Sequence, residues 1–312
     1  MKQPPAHGGL PTRQGVSPSC VGLPAGDWPT FTDFLVQRFP AIGRKVWLDR
    51  MAAGLVVDEF GSLVTSERPY RGHMRLYYYR ALSAEPAIPF EAAALFQDEH
   101  LVVADKPHFL PVTPSGSYLQ ETLLVRLKNQ LGIDSLVPIH RIDRETAGLV
   151  VFCVQPTERD AYQALFRQHE ISKHYEAIAP WRTELRFPLQ RQSCIVGGNP
   201  FFKQIEVLGE PNSDTLIDVL QTQGTLARYA LTPVTGKKHQ LRVHMNALGI
   251  PILNDRMYPL VVAAPDDHDC PLQLLAKSIA FVDPITAQAR RFTSSQYLTI
   301  RPGDGQADRA GF

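Results

Sequence analysis

Cysteine is scarce in this sequence, and the few present are spaced in a way that excludes the usual cysteine-built sites. The 312-residue chain contains four cysteines, and no two of them form a C-x-x-C pair. This spacing argues against a disulfide framework and against a structural zinc site. We therefore predict a reducing, cytoplasmic environment. The four residues are Cys20, Cys153, Cys194 and Cys270.

Long apolar runs are also missing. No run approaches the roughly 20 residues that a membrane-spanning helix needs, so we expect no contact with a membrane. The segment around Lys2 and Arg13 is polar and rich in Pro and Gly, and it lacks the apolar core of a secretory signal. With 44% hydrophobic and 20% charged residues, the composition is typical of an ordinary globular protein.

The chain has no excess of charge of either sign. The 32 Lys and Arg residues nearly balance the 31 Asp and Glu residues, which gives a formal net charge of +1. Affinity for a nucleic acid would therefore have to come from local clusters of basic residues. Walker-type loops, G-x-G-x-x-G and G-x-S-x-G patterns are absent too. Their absence argues against nucleotide-binding loops and against an α/β-hydrolase.

Composition and periodicity divide the chain into a small module and a larger domain. Residues 1–27 are rich in Pro, Gly and Ser without periodicity, which predicts a disordered leader. Residues 28–84 predict a small α/β module, with short helices around Phe34 and Trp47 followed by two short strands. A linker, the larger domain and a tail are predicted over residues 85–91, 92–302 and 303–312.

The larger domain mixes strands and helices without a regular β-α-β alternation and without an internal repeat. This arrangement predicts an α+β fold with a mainly antiparallel sheet. Strands are predicted at residues 101–103, 149–154, 173–179 and 226–232. Helices are predicted at residues 123–131, from Thr157 as N-cap to about His169, and at residues 241–248.

The first segment with catalytic potential is H-R-I-D-R-E-T-A-G at 140–148, directly before the apolar run 149–154. It places Asp143 between Arg141 and Arg144 at the mouth of a buried strand. Nearby cations would keep the carboxylate ionised, and therefore available as a nucleophile or a base. A surface ion pair in a polar loop explains the same composition equally well.

The second segment is T-G-K-K-H-Q-L-R-V-H at 235–244. Its apolar spacing predicts a short helix that begins after a Gly turn and ends before Pro251. On that helix His239, Arg242 and Asn246 would share one face. The convergence of a histidine and an arginine on one face favours a functional role for this segment.

Lys237 and Lys238 lie where this helix begins, although lysines are unfavourable at the positive end of the helix dipole. They suggest a nearby anion such as a phosphate; a solvated helix start is the alternative. His239 and His244 do not suggest a metal site. They would point about 140° apart on a helix, and no H-E-x-x-H pattern is present. We predict neither a metal nor a cofactor.

The third segment is S-K-H-Y-E-A at 172–177. In a strand, Lys173, Tyr175 and Ala177 would share one face. A tyrosine in such a position can stack on a nucleic-acid base and form a hydrogen bond with its hydroxyl. A tyrosine of the core is the commoner explanation for this segment taken alone.

Together, the three segments resemble the signature of the RluA-type pseudouridine synthase family. H-R-I-D-R-E-T-A-G-L resembles its H-R-L-D-R-x-T-S-G-L motif, and S-K-H-Y-E-A resembles its K-x-Y-x-A strand. Residues 235–255 resemble T-G-R-x-H-Q-[IL]-R-x-H with its G-x-P-I-x-G-D continuation, and Lys106-Pro107 falls where the family has K-P. Order and spacing agree, and the resemblance covers roughly residues 92–300.

The resemblance implies a pseudouridine-synthase fold with a central catalytic cleft. It also implies an isomerase that converts uridines of structured rRNA or tRNA to pseudouridine without a cofactor. It assigns Asp143 as the essential carboxylate, Tyr175 as the tyrosine stacked on the target base and Arg242 as the cation that holds the carboxylate. Arg141 is similar to the residue that fills the gap left by the flipped uridine. His140, Arg144, Lys237, Lys238 and His239 are further candidates for contacts with RNA.

The module at 28–84 is similar to the small RNA-binding domain that is often joined to this family and also occurs in ribosomal proteins. It departs from that domain at Asp58 and Glu59, where V-N-G is usual. The larger domain departs from the family at Lys237, which replaces an Arg, and at Leu275, which replaces a His. These differences lie outside the Asp143, Tyr175 and Arg242 set.

Two other classes of function are open at this point. One is an RNA-binding or assembly factor that has the same fold and no catalysis. The retained carboxylate at Asp143 argues against it, because a protein that only binds RNA needs no such group. The other is a hydrolase with His140 or His239 as base, and it lacks both a nucleophile elbow and a metal set. We expect a monomer whose partner is RNA.

Overall fold

The computed structural model describes residues 10–80, 85–263 and 265–300. The chain divides into two compact units. The first is drawn from Met1–Ala87 and Thr113–Asp134, and the second from Ile88–Val112 and Ser135–Phe312. Within the described residues, no helix has the length and apolar character needed to cross a membrane.

The first unit contains a three-stranded antiparallel sheet and three helices. The sheet has β1 (Ser19–Gly22) and β2 (Val56–Asp58) on either side of β3 (Arg75–Tyr78). The helices are α1 (Phe31–Arg38), α2 (Arg44–Ala52) and α3 (Leu123–Leu131). The first of them begins with a capping box, because Thr30 and Asp33 each accept a hydrogen bond from the backbone N–H of the other.

The amino-terminal segment differs from the sequence expectation of a disordered leader over 1–27. Residues 1–9 lie outside the described part, but β1 pairs with β3 over four residues. Val21 and Leu23 are buried in the core of the first unit. They are two positions apart, which is the spacing of one strand face. The surrounding Pro, Gly and Ser residues hid this short alternation in the sequence.

Helix α3 follows its prediction at both ends. The Thr122 hydroxyl accepts a hydrogen bond from the Val125 backbone N–H, and Gly132 ends the helix in the left-handed conformation at φ 68°. The sequence had assigned this helix to the segment 92–302. In the structure the helix belongs to the first unit, because the chain returns to that unit over Thr113–Asp134. Composition does not reveal this return. Residues 81–84 and 301–312, which include part of the predicted module and the tail, lie outside the described part.

The second unit is built on an 11-stranded mixed sheet in the order β10-β9-β11-β12-β8-β13-β7-β5-β4, with β14 paired to β13 and β6 to β7. Among the described strands of this sheet only β13 and β7 pair in parallel, so the predicted α+β class with a mainly antiparallel sheet is confirmed. The strands are β4 (Ala93–Gln97), β5 (Leu101–Lys106), β6 (Val137–Pro138), β7 (Ala147–Cys153), β8 (Ser172–Pro180), β9 (Leu189–Gly197), β10 (Gln204–Val207), β11 (Ser213–Gln223), β12 (Leu226–Pro233), β13 (Leu274–Val282) and β14 (Ala289–Thr293).

Strand β7 sets the position of the loop that precedes it. All seven of its residues are buried, so the predicted core strand is confirmed. Gly148 makes the parallel pairing with β13 possible. It has φ +106°, and a Cβ at this position would lie 2.3 Å from the Ala276 carbonyl oxygen. Only glycine fits both conditions. The loop 140–146 therefore ends at a rigid, tightly packed point of the sheet.

In the described part of the second unit, two helices accompany this sheet, α4 (Arg159–Arg167) and α5 (Gln240–Ala247). The predicted N-cap of α4 at Thr157 is wrong by one residue. A turn over 155–158, closed by the Glu158 N–H to the Gln155 carbonyl, comes first and makes Glu158 the N-cap. Helix α5 packs on the sheet through Leu241 and Met245, which lie in the largest core cluster beside Leu231 and Tyr229.

Candidate active site

Asp143 lies in the loop between β6 and β7, with about a quarter of its side chain exposed (25%). Its Oδ2 accepts a hydrogen bond from Nη1 of Arg242 at 3.2 Å. Its Oδ1 lies 3.8 Å from Nε2 of His239. Both partners come from the start of α5, about a hundred residues further along the chain. The fold thus brings together the first two segments that the sequence singled out.

Arg242 is almost completely buried, with 2% of its side chain exposed, and a second carboxylate holds it in place. Its Nε and Nη2 donate to the two oxygens of Asp255 at 2.8 and 2.7 Å. Asp255 is fully buried and also accepts from the backbone N–H groups of Met257 and Tyr258. Asp255 therefore fixes the guanidinium through two of its nitrogens, and the third nitrogen, Nη1, faces Asp143.

The guanidinium of Arg242 stays protonated. Burial by itself would lower the pKa of the guanidinium. The hydrogen bonds and the negative charge of Asp255 raise it above its ordinary value, and the charges of Asp143 and Glu145 add to this. Oε2 of Glu145 lies 3.7 Å from Nη1. Arg242 is thus a permanent cation in contact with the exposed carboxylate.

The turn before α5 brings His239 to the same carboxylate. The Gln240 side chain accepts from the Thr235 hydroxyl at 2.7 Å and from the Lys237 backbone N–H at 3.0 Å. His239 then adopts φ +56°, an uncommon left-handed conformation for a histidine. The predicted helix after a Gly turn is confirmed. His239 reaches Asp143 from the N-cap position rather than from a face of the helix.

Tyr175 lies half-buried in β8, paired with Leu231 of β12 and Ala276 of β13. It packs against the cluster that contains Leu241 of α5. Burial raises the pKa of its hydroxyl, and the charge of Asp143 raises it further. The phenol is therefore neutral, and it lies close enough to Asp143 for the charge of the carboxylate to raise its pKa. The third predicted segment joins the other two.

Known proteins of one family are similar to this chain. Residues 100–247 match the family model described as RNA pseudouridylate synthase. The chain is 33% identical over 214 residues to the dual-specificity RNA pseudouridine synthase RluA of Pasteurella multocida, which covers 63% of this chain and 90% of that protein. The chain belongs to the RluA-type pseudouridine synthase family.

Two further comparisons agree. An uncharacterized RNA pseudouridine synthase of Synechocystis is 27% identical over 277 residues, or 84% of this chain and 92% of that protein. The solved structure of the human RNA pseudouridylate synthase domain containing 1 shares the fold, with a TM-score of 0.55 and 18% identity over 68% of this chain and 86% of that one. The protein is thus an RNA-modifying isomerase that converts uridine to pseudouridine.

In this synthase, the arginines next to Asp143 in the sequence do not pair with its carboxylate in the way that the sequence predicted. Arg144 binds both oxygens of Asp266 at 2.7 and 2.8 Å and also contacts Glu145. The chain bends at residues 144–145, where the Thr146 backbone N–H donates to the Asp143 carbonyl at 3.2 Å, and the Arg144 side chain is directed to Asp266 and Glu145. The recorded hydrogen bond to the Asp143 carboxylate comes from Arg242 instead.

The other residues predicted to contact RNA fall into two groups. His140 is committed to the core, because its Nε2 accepts from the Val151 backbone N–H at 3.1 Å and its ring stacks on Phe166. Burial lowers its pKa to about 3. Arg141, Lys237 and Lys238 are exposed. In the described part of the chain their side chains have no recorded hydrogen bond or ion pair.

Three site residues were missed as such in the sequence. Asp255 and Tyr258 support Arg242 and His239, while Lys106 supports the catalytic loop. The Lys106 Nζ is buried and donates to the carbonyls of Pro107 and Arg144 at 2.9 Å. Burial lowers its pKa to about 7. Asp255 and Lys106 lie in segments that resemble family motifs, and this resemblance was the only feature of the sequence that pointed to them. Tyr258 lies three positions beyond and carried none.

Proposed function

We propose that Asp143 is the residue of this synthase that acts on the target uridine, and that the target lies in a structured rRNA or tRNA. One observation supports this most strongly. A partly exposed carboxylate is held by a buried arginine, and that arginine is itself fixed by a second, fully buried carboxylate. Such an arrangement holds a carboxylate in one orientation at the surface of the site.

The chemistry matches a carboxylate. Uridine and pseudouridine are isomers: the bond from the sugar to N1 of the base breaks, and a bond to C5 forms. N1 gains a proton and C5 loses one, so no electrons enter or leave. The reaction needs a nucleophile at C1′ of the sugar or a base for its 2′ proton, and Asp143 can serve in either role. The released base also needs room to rotate.

Tyr175 is proposed to stack on the target base. It is half-buried in β8, and its neutral hydroxyl can donate or accept a hydrogen bond. A flat ring beside the carboxylate holds a base through its π-face and still lets the base rotate in its own plane. This is compatible with the change of attachment from N1 to C5.

Arg141 and the pair Lys237 and Lys238 are proposed to contact the RNA. All three are exposed cations near the Asp143 loop or the start of α5. Flipping a nucleotide out of an RNA stack costs a few kcal/mol, and contacts between these cations and phosphates would offset that cost. The name of the Pasteurella relative, a dual-specificity enzyme, supports a substrate range wider than one RNA class. Cytoplasmic location and a monomeric state stay predictions.

The test uses purified protein and total RNA from cells that lack its gene, with pseudouridine counted after digestion to nucleosides. We expect the wild type to form pseudouridine and Asp143→Asn to form none, since the amide is neither a nucleophile nor a base. Asp160→Asn is the matched control, because that carboxylate is exposed and pairs only with Arg167 among the recorded ion pairs of the described residues. Full activity of Asp143→Asn would overturn the assignment.

A further inference from the structure

A buried pair of side chains lies behind the second oxygen of the Asp143 carboxylate. Nδ1 of His239 is 3.0 Å from the hydroxyl oxygen of Tyr258. Both side chains are buried, and their rings meet edge to face at 5.9 Å. Nε2 of the same histidine lies 3.8 Å from Oδ1 of Asp143. The histidine thus stands between the tyrosine and the exposed carboxylate.

The hydrogen bonds of Tyr258 decide which nitrogen of His239 carries the proton. The hydroxyl accepts from the Gln204 backbone N–H at 2.9 Å. Its single proton can go to Nδ1 at 3.0 Å or to the Gln204 carbonyl at 3.2 Å. If Nδ1 carried the proton, a bare lone pair on Nε2 would face the negative Asp143. Donation from Tyr258 to Nδ1 leaves N–H on Nε2, directed at the carboxylate, and is the favourable assignment.

The groups that surround His239 agree with a neutral ring. Burial lowers its pKa, and the positive charges of Arg242 and Lys238 lower it further. The negative charges of Asp143 and Asp255 oppose this change. A neutral histidine with N–H on Nε2 is a directed donor. At 3.8 Å the contact is longer than a hydrogen bond, and such contacts often tighten when substrate binds.

We propose that the Tyr258 hydroxyl, acting through His239, fixes the second oxygen of the Asp143 carboxylate, and that both are positioning residues for the isomerisation. The inference rests on the proposed role of Asp143. Arg242, clamped by Asp255, holds Oδ2 from one side. His239, held by Tyr258, lies 3.8 Å from Oδ1 on the other side. Once this contact shortens to a hydrogen bond on substrate binding, both oxygens are held and the carboxylate cannot rotate away from the reacting sugar.

The position of His239 favours this role over packing alone. A residue that only filled space here would not place both ring nitrogens at polar groups, Nδ1 3.0 Å from the Tyr258 hydroxyl and Nε2 3.8 Å from the Asp143 carboxylate. His239 occupies the N-cap position of α5 with φ +56°. The Tyr258 hydroxyl contacts Nδ1 of His239, and hydrogen bonds to the backbone of Gln204 in β10 hold that hydroxyl in place.

The experiment compares single-turnover rates, with enzyme in excess over a transcript of the RNA segment that the wild type modifies. Tyr258→Phe removes only the hydroxyl. His239→Asn tolerates the positive φ and keeps an amide near the Nδ1 position, but it has no atom at Nε2. We expect each variant to be slower by about tenfold or more at saturating enzyme, with the dissociation constant for the RNA changed less than about twofold.

The double variant gives a readout that a structural role would not move. If Tyr258 acts through His239, the Tyr258→Phe/His239→Asn protein is no slower than His239→Asn alone. Tyr229→Phe is the matched control. It also removes a buried hydroxyl that donates to a backbone carbonyl, that of Pro180 at 2.8 Å, and we expect it to keep the wild-type rate.

Three results would overturn the inference. They are wild-type rates for Tyr258→Phe and His239→Asn, additive losses in the double variant, or slowing that disappears at saturating enzyme. Asp143→Asn, assayed alongside, separates this failure from that of the proposed function. An inactive Asp143→Asn with full-speed Tyr258→Phe rejects only the positioning pair. An active Asp143→Asn rejects the role of Asp143 and the inference with it.

Discussion

Arg242 carries one positive charge and faces three carboxylates. Asp255 binds it through two short hydrogen bonds, Asp143 through one, and Glu145 lies 3.7 Å away. Asp255 and the guanidinium are both buried, whereas Asp143 is partly open to solvent. The buried pair stabilises the cation, and the second oxygen of the partly open carboxylate faces His239. At the scale of single residues, Asp255 is thus a structural counter-ion, and Asp143 is the partly exposed carboxylate that is proposed to act on the uridine.

This division of roles predicts a large loss of stability for Asp255→Asn. The amide can accept one hydrogen bond from Arg242, but it leaves a buried guanidinium without its main counter-charge. Breaking a buried pair from one side costs about 3–5 kcal/mol, and we expect urea unfolding to show a loss in that range. Asp160→Asn is the control, since its pair with Arg167 is exposed on both sides and such a pair is worth about 1 kcal/mol or less. Equal losses for the two variants would contradict the assignment.

At the scale of elements, the site depends on how closely β7 approaches β13. Three features converge there: the parallel pairing of Ala147 and Gly148 with Leu275 and Ala276, the buried run of β7, and the loop that carries Asp143. The pairing of the same β13 with β8 places Tyr175 opposite Ala276. Two of the three segments that the sequence singled out are therefore aligned through one short stretch of β13.

Gly148→Ala is expected to disrupt this alignment. Its Cβ would lie 2.3 Å from the Ala276 carbonyl oxygen at a φ of +106°, so both backbone strain and a clash oppose folding. We expect the free energy of unfolding to fall by more than about 3 kcal/mol, measured by thermal and urea unfolding. Gly197→Ala is the control, because a Cβ there meets nothing within 4 Å and its φ is ordinary. Wild-type stability of Gly148→Ala would refute the close-approach argument.

The elements that could be predicted from the sequence are those whose pattern is strong and local. The seven buried residues of β7, the capped ends of α3 and the turn before α5 all have such patterns. Strand β9 does not: only Ile195 of its nine residues is buried, so no hydrophobic alternation marks it. The contacts of Tyr258 with His239 were equally hidden, because they depend on how a long loop returns to the start of α5.

The candidate site divides in the same way. The family resemblance of their motifs implied that Asp143, Tyr175 and Arg242 would meet. The fold brings Asp143 to Arg242 and places Tyr175 where the charge of Asp143 raises the pKa of its hydroxyl. The contacts of the flanking residues could not be predicted. Arg144 turns to Asp266, which lies 122 residues away in the sequence, and His140 turns into the core. Which side of a polar loop faces the site is decided by tertiary packing.

At the scale of the whole molecule, a net charge of +1 leaves RNA binding to local cations. Lys237 and Lys238 are exposed at the start of α5, close in sequence to His239 and Arg242. In the first unit, Asp58 is one of the two acidic residues at which the module departs from the usual RNA-binding domain, and an exposed carboxylate there would repel RNA phosphates. Its carboxylate is buried instead, paired with Arg68 and bonded to the N–H groups of Phe60 and Ser62. It therefore closes a turn and presents little charge to a partner.

The two lysines give a prediction about salt. Each phosphate contact lowers the logarithm of affinity by roughly one unit for every tenfold rise in salt concentration. We expect Lys237→Ala/Lys238→Ala to weaken binding of the transcript and to reduce that slope by about two, as measured by filter binding at several salt concentrations. Arg167→Ala is the control, since its guanidinium pairs with Asp160 on an exposed face of α4. An unchanged slope would remove these lysines from the RNA contact.

The central claim is that this chain makes pseudouridine through Asp143. The most direct measurement is a transcriptome-wide map of pseudouridine in cells that lack the gene and carry either the wild-type or the Asp143→Asn protein at equal levels. We predict that one or a few uridines in rRNA or tRNA are modified with the wild type and unmodified with Asp143→Asn. Identical maps for the two proteins would contradict it.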